Sequence, residues 1–189
     1  MATSNRDFPR GFWPAYTKHG GPPAMNRYYT TGTAAIYIGD VLRFPNTAGA
    51  HGVTPITATT TEADIVGVAA TFTTSAASGS TDSAAQEVYV YDDLVNTVFV
   101  AQHDSSVTDE FISSTSTMKI YKLNVGTASS ALPTSNMEVQ GTTDADGGIY
   151  VIDKVDRPDN AWGGWVDLYC QIVQGMHRPH NTTVAINAT

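Results

Sequence analysis

The sequence predicts an all-β protein whose body is a barrel or a sandwich of short strands. Val, Ile and Thr together number 53 residues, whereas Leu numbers 5. Side chains branched at Cβ suit a pleated, half-buried surface, and they are less favourable in helices. Short apolar runs also recur between clusters of Gly, Pro, Asn and Asp, as in a fold of many short strands. These observations exclude a helical bundle and allow at most one short helix.

The first half of the chain carries most of the predicted strands. These strands are 28–33, 34–38, 41–44, 53–57, 65–73, 87–91 and 97–102. Gly39 begins a turn, and the small polar residues over 46–64 and 74–86 predict surface loops. The run at 65–73 is continuously apolar, as in a buried strand, and Gly67 within it indicates a bulge or a close backbone approach.

Alternation is clear in the strand at 87–91, where Val88 and Val90 share one face. The connection 92–96 leads to the strand at 97–102, and its length predicts a hairpin loop. The two strands are therefore expected to pair with each other.

The second half is predicted to hold one helix, three strands and an extended tail. The helix is 106–115, and the strands are 118–123, 148–155 and 165–173. The last strand alternates between an inward and an outward face. Its inward residues are Val166, Leu168, Cys170 and Ile172, and its outward residues are Asp167, Tyr169 and Gln171.

Positive charge and aromatic rings are concentrated at the N-terminus. Residues 1–27 carry a net charge of +3, whereas the remainder carries −11. Four aromatic residues lie among prolines and glycines, which disfavour both a helix and an interior strand. The break GGPP at 20–23 separates this segment from the rest. We therefore divide the chain into an extended arm at 1–27, a body at 28–176 and an extended tail at 177–189.

Two interpretations of the arm remain open at this point. It folds back so that its rings complete the core of its own body, or it docks on another chain with the rings as anchors. Docking is the favoured prediction, and binding of single-stranded nucleic acid is disfavoured because the body is acidic. The candidate docking residues are Arg6, Phe8, Arg10, Phe12, Trp13, Tyr16 and Lys18.

Residues suited to catalysis or metal binding are few. The histidine pair at 177–180 lacks a third ligand, and the DAD sequence at 144–146 lacks the glutamate of a calcium loop. The Asp pair at 92–93 fits a turn, and Cys170 falls on an inward face as a buried thiol. We predict no enzyme activity, no metal or other cofactor, no membrane span and no nucleic-acid partner.

Four segments resemble the head decoration, or cement, proteins of tailed bacteriophages. They are YIGDVLRF at 37–44, ADIVGVAATF at 63–72, VYVYDDLVNTVFVAQHD at 88–104 and DRPDNAWGGWVDLYCQIVQGMHRP at 156–179. The resemblance implies a small β-barrel or β-tulip-like body that forms a homotrimer and binds the outer surface of the capsid. Synthesis in the host cytoplasm is expected instead from the single cysteine and from the lack of a signal-peptide pattern. Its partner would be the major capsid protein, whose neighbouring subunits it clamps together.

The tryptophans at 162 and 165 allow two interpretations. They either pack over an open end of the body or form a subunit interface, where Trp is enriched. Trp162 and Trp165 are therefore our candidate residues for an oligomer interface.

Two other functions stay open from the sequence. One is a carbohydrate-binding β-sandwich that uses Tyr89, Tyr91, Trp162 and Trp165 as stacking platforms. The other is a structural protein of the phage tail or of the head–tail joint, which would assemble with ring symmetry.

Overall fold

The protein is all-β, and its described residues form eleven strands and no helix. The structure is a computed structural model, and it describes residues 5–30, 34–45, 52–57, 65–74, 86–104, 120–126, 133–143 and 148–173. The first six strands are β1 (Trp13–Thr17), β2 (Asn26–Tyr29), β3 (Val41–Arg43), β4 (Thr54–Pro55), β5 (Ile65–Ala69) and β6 (Glu87–Tyr91). The other five are β7 (Thr97–Gln102), β8 (Ile120–Asn124), β9 (Glu138–Thr143), β10 (Ile149–Lys154) and β11 (Asp167–Ile172).

These strands form two antiparallel sheets, as in a β-sandwich, and neither sheet closes into a barrel. The six-stranded sheet has the order β1-β7-β11-β10-β8-β9, and the five-stranded sheet has the order β2-β6-β5-β3-β4. Of the body types that the sequence allowed, the sandwich is the one observed.

The main core draws side chains from both sheets. Phe99 and Leu168 of the six-stranded sheet belong to the same buried cluster as Val41 and Val68 of the five-stranded sheet. A second cluster includes Leu42, the neighbour of Val41 on β3. Because successive residues of a strand point to opposite faces, both faces of the five-stranded sheet are buried. This double burial explains why β5, which is buried at all five of its positions, is apolar throughout.

Several local predictions are confirmed. Gly39 adopts a positive φ of 91° in the turn before β3, and a Cβ on Gly67 would lie 2.4 Å from the carbonyl oxygen of Tyr91. The register of β3 against β5 also shifts next to Gly67, so the bulge and the close approach occur together. Val88 and Val90 are buried on one face of β6.

The structure corrects three strand predictions and contains one strand that was not predicted. β6 and β7 lie in different sheets, so residues 92–96 connect the two layers and do not form a hairpin. Residues 34–38 make only isolated bridges through Ile36 and Ile38, and β9 was missed altogether. On β11 the inward face is as predicted, but Asp167 and Gln171 of the other face are buried as well.

Some predicted features lie outside the described residues. They are the helix at 106–115, the DAD sequence at 144–146, the histidine pair at 177–180 and the tail at 177–189.

The N-terminal segment contributes an edge strand to the body. β1 pairs antiparallel with β7, and its register shifts between Pro14 and Tyr16. Proline cannot donate to a strand ladder, so a strand that contains it is expected at a sheet edge. β1 thus lies within the predicted arm at 1–27 but belongs to the six-stranded sheet, which otherwise comes from the predicted body at 28–176.

Candidate functional site

Residues 5–10 lie against the body and are held there mainly by one glutamine. Gln102 Oε1 accepts a hydrogen bond of 2.8 Å from the Phe8 amide, and Gln102 Nε2 donates one of 2.9 Å to the Arg6 carbonyl. Asn5 Nδ2 donates to two carbonyls of the loop 161–164, at 2.7 and 2.9 Å. The glutamine amide therefore pairs with the segment as a neighbouring strand would, and the Arg6 side chain is left in solvent.

A close crossing of two glycines buries Phe12. Gly11 has a φ of 71°, and a Cβ on it would lie 2.6 Å from the Gly39 carbonyl oxygen. The Phe12 amide donates a 3.0 Å hydrogen bond to that carbonyl, and the Phe12 ring, only 1% exposed, joins the main core. The Phe12 ring is therefore not an exposed docking anchor, unlike the prediction, because it packs inside its own chain.

The rings next to Phe12 lie on the outer face of the six-stranded sheet. Trp13 is opposite Val100 in the register, and Val100 is opposite Tyr169, so the three residues form one row across the sheet. Tyr16 packs edge-on against Tyr169, with ring centroids 5.8 Å apart. Trp13 is 41% exposed and Tyr16 46%. Phe8 lies beside this row and is 57% exposed, and we call Phe8, Trp13, Tyr16 and Tyr169 the aromatic face.

A surface cavity of about 320 Å³ opens at one end of the aromatic face. Phe8 and Trp13 form part of its wall, together with Val100. Arg10 and Asp167 add charged groups to the lining. The cavity therefore combines apolar walls with a guanidinium and a carboxylate.

The basic residues of the segment face the body differently. Arg10 Nη2 lies 3.8 Å from Asp167 Oδ2, whereas Arg157 Nη2 lies 2.5 Å from the same oxygen. Lys18 Nζ donates a 2.9 Å hydrogen bond to the side-chain oxygen of Gln171. Of these two predicted docking residues, Lys18 is thus hydrogen-bonded to its own body, whereas Arg10 makes only a long ion pair with it.

The structure separates the other exposed aromatic candidates. Trp162 is half-buried against the main core, as is Tyr91, so neither offers an open ring face. Trp165 is exposed and holds a positive φ of 57°, which is uncommon for a residue other than glycine. Tyr89 is exposed on the five-stranded sheet. The four rings proposed for carbohydrate stacking therefore do not form one exposed platform.

Sequence reasoning missed the polar residues that position this site. The side chain of Asn160 donates to the carbonyls of Val155 and Asp167 and accepts from the Asp167 amide, at 2.8 to 2.9 Å. These bonds fix the strand end that carries Asp167. Gln102 and Asn160 belong to no sequence motif, because their partners are backbone groups rather than particular side chains. A polar residue at a buried strand position was the only available signal for Gln102.

A buried carboxylate lies on β9, at the edge of the six-stranded sheet that is opposite to β1. Glu138 is opposite Asn124 in the register of β9 and β8 and is nearly inaccessible to solvent. Burial raises the pKa of Glu138 to about 7, and the negative charges of Asp7 and Asp104 add to this effect. Glu138 thus favours the folded state only when it carries a proton.

We expect Glu138→Gln to make the protein more stable above pH 7 and to change little at pH 4. The folded-state pKa of Glu138 is above the unfolded value of 4.5, so wild-type stability falls as the pH rises from 4.5 to 7. Glutamine does not titrate, so the variant avoids this loss of stability. Burial also raises the pKa of Asp40 to about 6, but Asp40 is present in both proteins, so its titration does not contribute to the difference between them. Urea unfolding between pH 4 and 8 measures the difference. A difference that does not vary with pH would contradict this interpretation.

The described residues offer no metal centre or reactive thiol. In the ranges given above, no three His, Cys, Asp or Glu side chains are grouped so that they could hold a metal ion. Cys170 is fully buried, and this burial raises the pKa of its thiol, so the nucleophilic thiolate is disfavoured. The described residues contain no helix that is long and apolar enough to cross a membrane. The aromatic face and its cavity are therefore the best candidate site.

Comparison with protein-family models, with curated proteins and with solved structures finds no match to this chain.

Proposed function

We propose that the protein is a structural virion protein that binds the outside of a phage head and joins neighbouring major capsid subunits. The observation that carries this proposal is the aromatic face, where three exposed rings lie together on one sheet edge and the segment beside it. Large aromatic residues are the commonest energetic anchors of protein interfaces, and a cluster of them in water is otherwise unfavourable. The resemblance of four segments to head decoration proteins supports the capsid as the partner.

The proposed contact is rigid rather than a free arm. The hydrogen bonds of Gln102 hold residues 6–8 in place, and the burial of Phe12 fixes the neighbouring Trp13 on the opposite face. A surface that is ordered before binding loses less conformational entropy when the complex forms. The aromatic face therefore presents its rings in one geometry to an incoming subunit.

In the proposed assembly the protein is a homotrimer with no enzymatic role. Three copies of the aromatic face on one trimer convert later contacts into intramolecular ones, which slows release even when each contact is modest. Residues 28–189 carry a net charge of −11, and the acidic surface of the body would face solvent outside the capsid. Separating two capsid subunits would then require several aromatic contacts to break together.

We expect Trp13→Ala to weaken binding to expanded phage heads by at least about 30-fold, because an interface Trp anchor contributes about 2 kcal/mol or more. Co-sedimentation of purified protein with heads that lack it measures the affinity. The matched control is Tyr89→Ala, which removes a similarly exposed ring from the other sheet and should leave the affinity unchanged. Equal binding by wild type and Trp13→Ala, with both proteins folded, would show that the aromatic face is not the contact.

A further inference from the structure

The cavity of the aromatic face contains few polar groups that are still able to bind a guest. The indole Nε1 of Trp13 donates a 2.7 Å hydrogen bond to the Arg10 carbonyl. Gln102 uses its side-chain oxygen on the Phe8 amide and its nitrogen on the carbonyls of Arg6 and Trp165. These lining residues therefore offer a guest mainly apolar surface.

Arg10 is the exception among the lining residues. Its side chain is 51% exposed, and it makes one ion pair, at 3.8 Å from Asp167 Oδ2. That distance is too long for a hydrogen bond, whereas Arg157 bonds the same oxygen at 2.5 Å. The close partner of Asp167 is thus Arg157, whose Nε also lies 3.3 Å from Asp159 Oδ1. The Arg10 guanidinium, with five N–H donors, keeps its capacity for a second anion.

We propose that this cavity receives a carboxylate side chain, Asp or Glu, from an extended segment of the capsid subunit. The stem of the guest side chain packs between Phe8 and Trp13, and its carboxylate accepts hydrogen bonds from Arg10. Guanidinium and carboxylate form paired, charge-assisted hydrogen bonds that are stronger than neutral ones. This inference rests on the proposed function and adds the chemistry of the group that the partner supplies.

The charge distribution of the chain favours a lone carboxylate over a polyanion. Residues 1–27 are basic, but the chain as a whole carries −8, and Asp167 itself lines the cavity. A nucleic acid would bring many phosphates against this acidic body, whereas one carboxylate places its charge only at Arg10. A single acidic side chain among apolar neighbours therefore fits best.

The test compares Arg10→Gln with Arg27→Gln in binding to expanded heads over a series of salt concentrations. Arg27 is a similarly exposed arginine, but it pairs with Glu87 on the other sheet. We expect Arg10→Gln to weaken binding about tenfold at low salt. The difference in binding affinity between Arg10→Gln and wild type should become smaller as salt is added, because salt screens the charge interaction. Arg27→Gln should bind as wild type does, and Arg10→Lys should recover only part of the loss because it lacks the planar fork.

Trp13→Ala separates failure of this inference from failure of the proposed function. If Trp13→Ala loses binding but Arg10→Gln binds with wild-type affinity and salt dependence, the carboxylate is wrong and the capsid contact stands. If wild type itself does not bind heads, both proposals fail. If Arg10→Gln changes only self-association in sedimentation, the guest belongs to a second copy of this chain and the capsid carboxylate is overturned. Equal unfolding midpoints for the two glutamine variants would show that loss of fold is not the cause.

Discussion

Phe12→Ala is expected to destabilise the fold by about 3–5 kcal/mol, the usual cost of removing a fully buried phenylalanine ring. The ring of Phe12 packs in the main core with residues of both sheets. Removing it leaves a cavity at the point where β1 joins the body. Equilibrium unfolding in urea, followed by tryptophan fluorescence and by circular dichroism, measures the change.

Phe8→Ala is the matched control for this substitution. It removes the same ring only four residues earlier, but from a position that is largely exposed. We expect its effect on stability to stay within about 0.5 kcal/mol, as for most surface substitutions. If Phe12→Ala were no more destabilising than Phe8→Ala, the N-terminal segment would not be part of the folded core in solution.

Gly11→Ala should also cause a large loss of stability although it adds a single methyl group. The positive φ of Gly11 costs an L-residue about 1–3 kcal/mol. The new Cβ would in addition lie 2.5 Å from the Cβ of Ser135 and 2.6 Å from the Gly39 carbonyl oxygen, and such overpacking typically costs about 1–3 kcal/mol more. The same urea titration reports the sum of the two effects.

Gly20→Ala separates backbone strain from the steric clash. Gly20 has a φ of 74°, close to that of Gly11, but a Cβ placed on it would meet nothing within 4 Å. This variant therefore carries the strain without the collision and should be the milder of the two. Equal losses at both positions would mean that the crossing of Gly11 over Gly39 is looser than the structure shows.

The two large effects and the proposed binding role involve neighbouring residues. Phe12 points into the core and Trp13 lies on the outer face, because successive side chains of an extended chain alternate. Substitution of Phe12 should therefore reduce stability first, and it should weaken the proposed capsid binding only where the fold is lost. Substitution of Trp13 should instead weaken the proposed capsid binding while the protein stays folded. A binding assay at a temperature well below the unfolding midpoint keeps the two readouts separate.

Properties that depend on residues close together in the chain could be predicted from the amino-acid sequence. The excess of β-branched residues over Leu predicts an all-β chain, and the alternation of β6 and of the inward face of β11 predicts their buried sides. Gly39 and Gly67 were identified because a turn and a close backbone approach both require glycine. The concentration of aromatic residues at the N-terminus likewise located the candidate site.

How these elements combine depends on contacts between residues that are far apart in the chain. β6 and β7 follow each other as hairpin strands would, yet they lie in different sheets, because strand pairing depends on contacts with distant strands. Gln102 binds residue 8 across 94 positions of sequence, and this long-range contact sets how the segment lies on the sheet. Whether Phe12 or Trp13 became the buried ring follows from that placement. Their side chains alone do not decide it, because both are large, aromatic and suited to burial.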